Sequence, residues 1–270
     1  LRQAIGVFDS GLGGLTAVKE LCSCLPNEDI IYFGDTGRVP YGTRSKETII
    51  KYAEQDIRFL MTFPIKAVLV ACGTVSSLAL EEIRGNFPMP MLGVVEGAVE
   101  AAAKLASHKR VAIIGTPGTI SSGAYERAIE SIDPEITVKS VACPLFVPLV
   151  ENGRFHPGDA VIETVAREYL SPILDFQPDA LILGCTHYPL LKEVIASIMG
   201  PGTALIDAGA EAAHRMKALL RQKNQLEAGK EKGSLRIFVS DNIYNFSTQA
   251  DIFLQQPIEE IVGKIEIEKY

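Results

Sequence analysis

Short apolar runs that stop at small or polar residues, each followed by a stretch with helical spacing, recur along the chain. This alternation constrains the fold more tightly than any other feature. The runs fall at residues 5–8, 30–33, 67–71 and 91–95, again at 111–114, 180–183 and 203–206, and once more at 235–239, while residues 137–141, apolar only at Val138 and Val141, hold a strand's place in the same order. Runs this short and apolar read as buried strands, and strands alternating with helices predict parallel sheets. The first helix carries Leu15, Val18, Leu21, Cys22 and Leu25 on one face. The second, with Ser45 as its expected N-cap, carries Ile49, Ala53, Ile57 and Leu60. Further helices are expected after Cys72, from Ala98, from about Pro157, after Pro189 and after Asp207, while 151–154 and 222–233 read as loops.

The pattern restarts near residue 111. Asp35 follows Asp9 by 26 residues and Ala142 follows Thr116 by 26; Cys72 follows Asp9 by 63 and Cys185 follows Thr116 by 69. Glu96 lies 24 residues past Cys72, and Asp207 lies 22 past Cys185. A repeated order of elements points to a duplicated unit. The expected fold class is therefore α/β: two pseudo-symmetric domains, each a mainly parallel sheet flanked by helices, with the active site in the cleft between them. The run at 235–239 is expected to return to the first domain. That gives residues 1–96 plus 208–270 for the first domain and 97–207 for the second.

In open α/β sheets, ligands bind outside the carboxyl ends of the strands. Cys72 and Cys185 stand at such ends, one in each half. Two opposed thiols can remove a proton from one face of a carbon and return one to the other face, which is racemisation or epimerisation. Each then alternates between thiolate base and thiol acid. A free thiol titrates near about 8.5, and the helix expected after each cysteine should favour thiolate. Asp9 at a strand end, His187 beside Cys185 and Glu151 in a loop are the acid–base neighbours. The segment Asp9-Ser10-Gly11-Leu12-Gly13-Gly14, between strand and helix, has the form that offers backbone N–H groups to an anion. As a dinucleotide fingerprint it lacks the third glycine. The loop 34–42 is rich in turn formers and polar tips and could line a site.

Net charge is −7, with no cluster of basic residues, which argues against a nucleic-acid partner. No run of about 18 apolar residues suggests a membrane span. Residue 1 onward carries no signal-peptide pattern. Five cysteines, an odd number without framework spacing, argue for reduced thiols and a cytoplasmic setting.

The stretches Phe8-Asp9-Ser10-Gly11-Leu12-Gly13-Gly14, Pro40-Tyr41-Gly42, Ala71-Cys72-Gly73-Thr74 and Gly184-Cys185-Thr186-His187-Tyr188-Pro189 span most of the chain. In this order and spacing they resemble the cofactor-independent aspartate/glutamate racemase family, and its glutamate racemases in particular. The resemblance implies that Cys72 takes the α-proton of D-glutamate and Cys185 that of L-glutamate. Asp9 would assist Cys72, and Glu151 and His187 would assist Cys185. Substrate binding would fall to Asp9, Ser10, Pro40, Tyr41, Gly42, Gly73, Thr74, Thr116, Thr119, Thr186 and His187. It further implies no metal, no pyridoxal phosphate or other cofactor, a homodimer, and D-glutamate supplied for peptidoglycan. One departure stands out. The family commonly has Asn after the first cysteine, where this chain has Gly73, so a side-chain amide able to bond the substrate is gone.

Plainer readings stand beside these. Cys22, Cys24 and Cys143 read as inert packing residues. Asp9 could simply cap the glycine-loop helix. His187 could be a polar residue at a helix start or, with both cysteines, a zinc ligand. Glu151 could be a solvated loop acid, Tyr41 an ordinary loop aromatic, and Thr116 and Thr119 turn and capping residues. The competing functions are a racemase for aspartate or another α-substituted acid, a two-domain amino-acid binding protein, and a dehydrogenase resting on the imperfect glycine loop.

Overall fold

The structure, a computed structural model, describes residues 2–229, 231–241, 246–255 and 261–270. The first half runs β1 (Ala4–Asp9), α1 (Leu15–Cys24), β2 (Ile30–Gly34), α2 (Lys46–Leu60), β3 (Ile65–Val70), α3 (Gly73–Leu78), α4 (Leu80–Ile83), β4 (Met91–Leu92) and α5 (Val95–Leu105). The second runs β5 (Arg110–Gly115), α6 (Pro117–Ser121), α7 (Ala124–Ile132), β6 (Thr137–Ala142), α8 (Phe146–Glu151), α9 (Ala160–Phe176), β7 (Ala180–Leu183), α10 (Lys192–Met199) and β8 (Ala204–Asp207). Then come α11 (Ala208–Gln222), β9 (Leu235–Val239), α12 (Phe246–Leu254) and β10 (Ile261–Lys264).

Two parallel sheets result. One has the order β10-β9-β2-β1-β3-β4 and the other β6-β5-β7-β8. The segment β2-β1-β3-β4 is matched position for position by β6-β5-β7-β8, so the repeat in the sequence is a repeat of winding. β9 pairs with β2 from Leu235 against Ile30 to Val239 against Gly34 and extends the first sheet. In each half the chain reverses its winding direction at the central strand, β1 or β5. Such a reversal opens a crevice at the strands' carboxyl ends. Asp9 ends β1 and Cys72 follows β3; Thr116 follows β5 and Cys185 follows β7.

Every residue of β1, β2 and β7 is buried, the condition that produces uninterrupted apolar runs. One apolar core joins the halves through α1, α5 and α11, with Leu15, Val18, Ala98, Ala102, Ala212 and Met216 meeting Ile113 and Leu181. A second cluster, including Phe8, Phe33, Ile57, Phe59 and Val70, fills the opposite face of the first sheet. Ser45 caps α2 as expected, its hydroxyl accepting from Thr48 N at 3.4 Å.

Several boundaries differ from the sequence expectation. The run 91–95 is a strand only at Met91–Leu92, paired on one side with Val68 and Leu69, and Val95 already belongs to α5. The helix after Cys72 is two helices, broken where Ala79 adopts φ −121°. Glu151 is the last residue of a helix rather than part of a loop, because Pro148 sits in the first turn of α8, where no intrahelical donor is needed. α9 starts at Ala160 rather than 157, where Asp159 Oδ1 accepts from Val161 N at 2.9 Å. No helix among the described residues is long and apolar enough to cross a membrane.

Candidate active site

The two crevices face one cavity of about 330 Å³. Cys72 and Cys185 both line it, and so do Ser10, Pro40, Tyr41, Gly42, Gly73, Thr74, Thr116, Glu151, Thr186 and His187. Val39, Pro117, Pro144, Val147 and Pro148 add an apolar wall that the sequence reading did not single out. Cys143 also borders the cavity; it is buried, and its thiol is pushed up by burial and then by the charge at Cys185. All five cysteines are free thiols.

Asp9 and Thr119, expected as substrate contacts, lie behind the cavity wall, each 1 % exposed. Asp9 Oδ2 accepts from Gly11 N at 3.1 Å and Gly14 N at 3.0 Å, so the anion held by the glycine loop is the chain's own carboxylate. Asp9 Oδ1 is buried with no hydrogen-bond partner among the described residues. Burial raises the Asp9 pKa, while His187 and the loop amides pull the other way. Thr119 is turned to Thr116, whose Oγ1 accepts from Thr119 N at 3.2 Å and caps α6. Thr116 Oγ1 also lies 3.0 Å from Thr119 Oγ1 and, across the cleft, 3.0 Å from Thr74 Oγ1. Tyr41 presents itself to the cavity but not its hydroxyl, which donates to Asp35 and, at 3.3 Å, to Asp56 Oδ2. Arg38 spans the same two acids, Nε to Asp35 at 2.6 Å and Nη2 to Asp56 at 2.9 Å. This buried cluster anchors the 38–42 wall.

The two thiols have unlike surroundings. Cys72 Sγ donates to Ser10 Oγ at 3.5 Å. Its pKa is pushed up to about 12, first by burial and then by the negative charge of Asp9, against a smaller opposing effect of the Ser10 bond. The expected lowering by the helix that follows is therefore outweighed. At Cys185 no α-helix begins directly: residues 186–187 form a turn, a 3₁₀ segment follows at Tyr188–Leu191, and the expected helix, α10, starts only at Lys192. The cation there is His187. Its Nδ1 lies 3.9 Å from Cys185 Sγ and its Nε2 lies 3.0 Å from Glu151 Oε1. Burial opposes protonation of the ring, but the hydrogen bonds and charges of Cys185 and Glu151 prevail, and its pKa rises to about 10.

His187 is held from three further directions. The ring of Phe253 meets it edge-on at 5.2 Å. Thr16 Oγ1 reaches across from the first half to the Thr186 carbonyl at 2.9 Å. Gly13 leaves room for the imidazole, since a Cβ there would come within 2.5 Å of Nδ1. Gly13, Thr16 and Phe253 were not identified as site residues from sequence. The spacing of the glycine loop shows where backbone must be approached closely, not what approaches it. Among the described residues no group of three or more His, Cys, Asp or Glu is arranged to hold a metal ion, so the zinc reading of His187 and the two cysteines finds no support.

Fold and cavity together define a duplicated α/β protein with two thiols on opposite sides of one cleft. The Asp/Glu/Hydantoin racemase family matches residues 16–216, and the chain belongs to that family. It is 46% identical over 252 residues to a glutamate racemase of Geobacter metallireducens, covering 93% of each chain. It is 42% identical over 261 residues to one from Bacillus cereus, covering 97% of this chain and 96% of the relative. The crystal structure of glutamate racemase from Francisella tularensis in complex with D-glutamate aligns with a TM-score of 0.92 at 40% identity, over 100% of this chain and 99% of that one.

Proposed function

We propose that the chain interconverts L- and D-glutamate by moving the α-proton between Cys185 and Cys72. The observation that carries this reading is that both thiols line the same cavity, each at the carboxyl-end crevice of its own sheet. With L-glutamate bound, the Cys185 thiolate, beside protonated His187, takes the α-proton. The Cys72 thiol delivers its proton to the opposite face and is left as thiolate. In the reverse direction Cys72 acts as base and Cys185 as acid. Asp9 acts from behind the wall. Its carboxyl disfavours the Cys72 thiolate while ionised and relieves it when protonated, so Asp9 and Cys72 exchange charge rather than accumulate it.

The hydroxyls of Ser10, Thr74, Thr116 and Thr186, with the backbone at Pro40, Tyr41, Gly42 and Gly73, are the groups suited to hold the ammonium and two carboxylates. Thr119 supports them through Thr116. We further propose that residues 1–96 with 208–270, and residues 97–207, are the two domains that close on the substrate. The enzyme would work as a cytoplasmic homodimer, and its D-glutamate would serve peptidoglycan synthesis.

Optical rotation of an L-glutamate solution incubated with the protein tests the reading. Rotation should decay to zero with L-glutamate and persist with L-aspartate. Cys72→Ala and Cys185→Ala should each abolish the decay while keeping the fold. Undiminished racemisation by either variant would remove the two-thiol assignment, and decay with aspartate alone would reassign the substrate.

A further inference from the structure

The peptide that joins Thr186 to His187 lacks a hydrogen-bond donor from its own turn. After Cys185 the chain closes by bonds from one residue to the third before it. Tyr188 N donates to Cys185 O at 3.0 Å, and Leu190 N donates to His187 O at 3.3 Å. The bond between these two would run from residue 189 to the Thr186 carbonyl, but residue 189 is proline and has no N–H. The donor comes from the other half of the molecule instead. Thr16 Oγ1, in the first turn of α1, lies 2.9 Å from Thr186 O. The same hydroxyl lies 2.9 Å from Gly13 O, yet that oxygen already accepts from Thr16 N at 3.0 Å. Among the described residues no other donor reaches the Thr186 carbonyl. Thr16 is 7% exposed, so water is a poor substitute at this position.

We propose that Thr16 is a positioning residue for the Cys185 side of the reaction, a proposal that rests on the two-thiol reading above. Its hydroxyl fixes the plane of the 186–187 peptide. On one side of that peptide is the cavity residue Thr186, and on the other is the imidazole whose Nδ1 faces Cys185 Sγ. Glu151 holds only the far nitrogen, Nε2. The placing of Nδ1 therefore depends on the backbone that Thr16 holds. The glycine loop does not share this dependence. Gly13 O keeps its bond from Thr16 N when the hydroxyl is removed, and Asp9 keeps its bonds from Gly11 N and Gly14 N. The Cys72 side stays as it is.

Thr16→Val keeps the branched shape and removes the donor. The Thr186 carbonyl then turns toward another partner and carries the imidazole off Cys185. A misplacement on the order of 1 Å costs about 10²-fold in a positioned reaction. Proton transfer at Cys185 slows, and transfer at Cys72 does not. Racemisation has an equilibrium constant of one, so kcat/KM falls by the same factor from either enantiomer. The isotope effect of an α-deuterated substrate tells the two thiols apart. From L-glutamate the deuteron leaves in the Cys185 step, and from D-glutamate it leaves in the Cys72 step. A slower Cys185 step raises the effect seen from L-glutamate and lowers the effect seen from D-glutamate.

The test measures kcat/KM, and the α-deuterium isotope effect on it, from each enantiomer with wild type, Thr16→Val and Thr16→Ser. Thr16→Val should lower kcat/KM at least about tenfold. Its isotope effect from L-glutamate should grow relative to that from D-glutamate. Thr16→Ser keeps the donor and should return the two effects to their wild-type ratio. A protein that is merely loosened loses rate with that ratio unchanged. An unchanged or reversed ratio in Thr16→Val would overturn the proposal, as would wild-type rates there or a Thr16→Ser that behaves like Thr16→Val. Should Thr16→Val not fold, Thr16→Ala measured in the same way decides by the same ratio. A wild-type protein that exchanges no α-proton at all would instead refute the two-thiol reading.

Discussion

His187 Nε2 lies 3.0 Å from Glu151 Oε1, and the bond joins a buried ring to a carboxylate whose side chain is 44% exposed. Glu151 thus carries a solvated negative charge to an imidazole that has none of its own solvation. The folded pKa of His187 is raised from 6.5 to about 10. A raised pKa means that the folded state binds this proton more tightly than the unfolded chain. Its contribution to stability is fully present below about pH 6.5 and is lost as pH rises through about 10. Urea unfolding of wild type and His187→Asn at pH 6, 8 and 10 should show a stability difference that shrinks with rising pH. A difference that grows with pH would contradict the assignment.

Glu151→Gln keeps the hydrogen-bonding shape but removes the charge. The alkaline limb of the L-to-D rate, where His187 loses its proton, should move to lower pH, with a smaller effect near pH 6. An unmoved limb would mean that Glu151 does not set the His187 proton affinity.

Burial holds the Asp9 carboxyl above its ordinary 3.8. A raised carboxyl pKa favours the folded state at acid pH and loses that contribution as pH rises, so ionised Asp9 costs stability at neutral pH. Asp9→Asn should therefore unfold at equal or higher urea concentration than wild type, while racemisation drops about 10²-fold or more, as for loss of an acid–base group. A variant that is less stable and fully active would show that Asp9 is only a cap for the glycine loop.

Tyr41 donates its hydroxyl to Asp35 and Asp56, two acids that share the single guanidinium of Arg38. Tyr41→Phe leaves these buried oxygens one donor short, which costs about 1–3 kcal/mol of stability. The 38–42 wall should loosen, raising KM for glutamate more than it lowers kcat. A selective fall in kcat would indicate that the hydroxyl itself acts on the substrate.

The strands were legible wherever burial on both faces forced an apolar run, as at β1, β2, β3, β5 and β7. β4 is shorter than its apolar run because Val94 and Val95 are apolar for a different reason: both are buried, but Val95 packs from the first turn of α5. α8 leaves no clear mark in the sequence because its apolar residues, interrupted by Pro148, imitate a loop. In the site, the matched strand-end positions of Cys72 and Cys185 were visible in spacing alone. The Glu151–His187 pair was not, since 36 residues separate them and only folding brings α8 against the turn after β7. The glycine loop has the form of an anion cradle in the sequence, but its anion is Asp9, because that carboxylate folds back onto the amides of Gly11 and Gly14. Nothing in the sequence shows that the Thr119 hydroxyl faces Thr116.

The central claim is that two thiols act on opposite faces of one carbon. It is tested most directly by following L-glutamate in D2O with the wild-type protein through the first few per cent of reaction. Chiral separation and mass spectrometry then locate the deuterium. The account predicts α-deuterium in the newly formed D-glutamate and almost none in the remaining L-glutamate, because the proton leaves to Cys185 and the deuteron arrives from Cys72. Equal deuterium in both enantiomers from the first time point would mean that a single base serves both faces, and would contradict it.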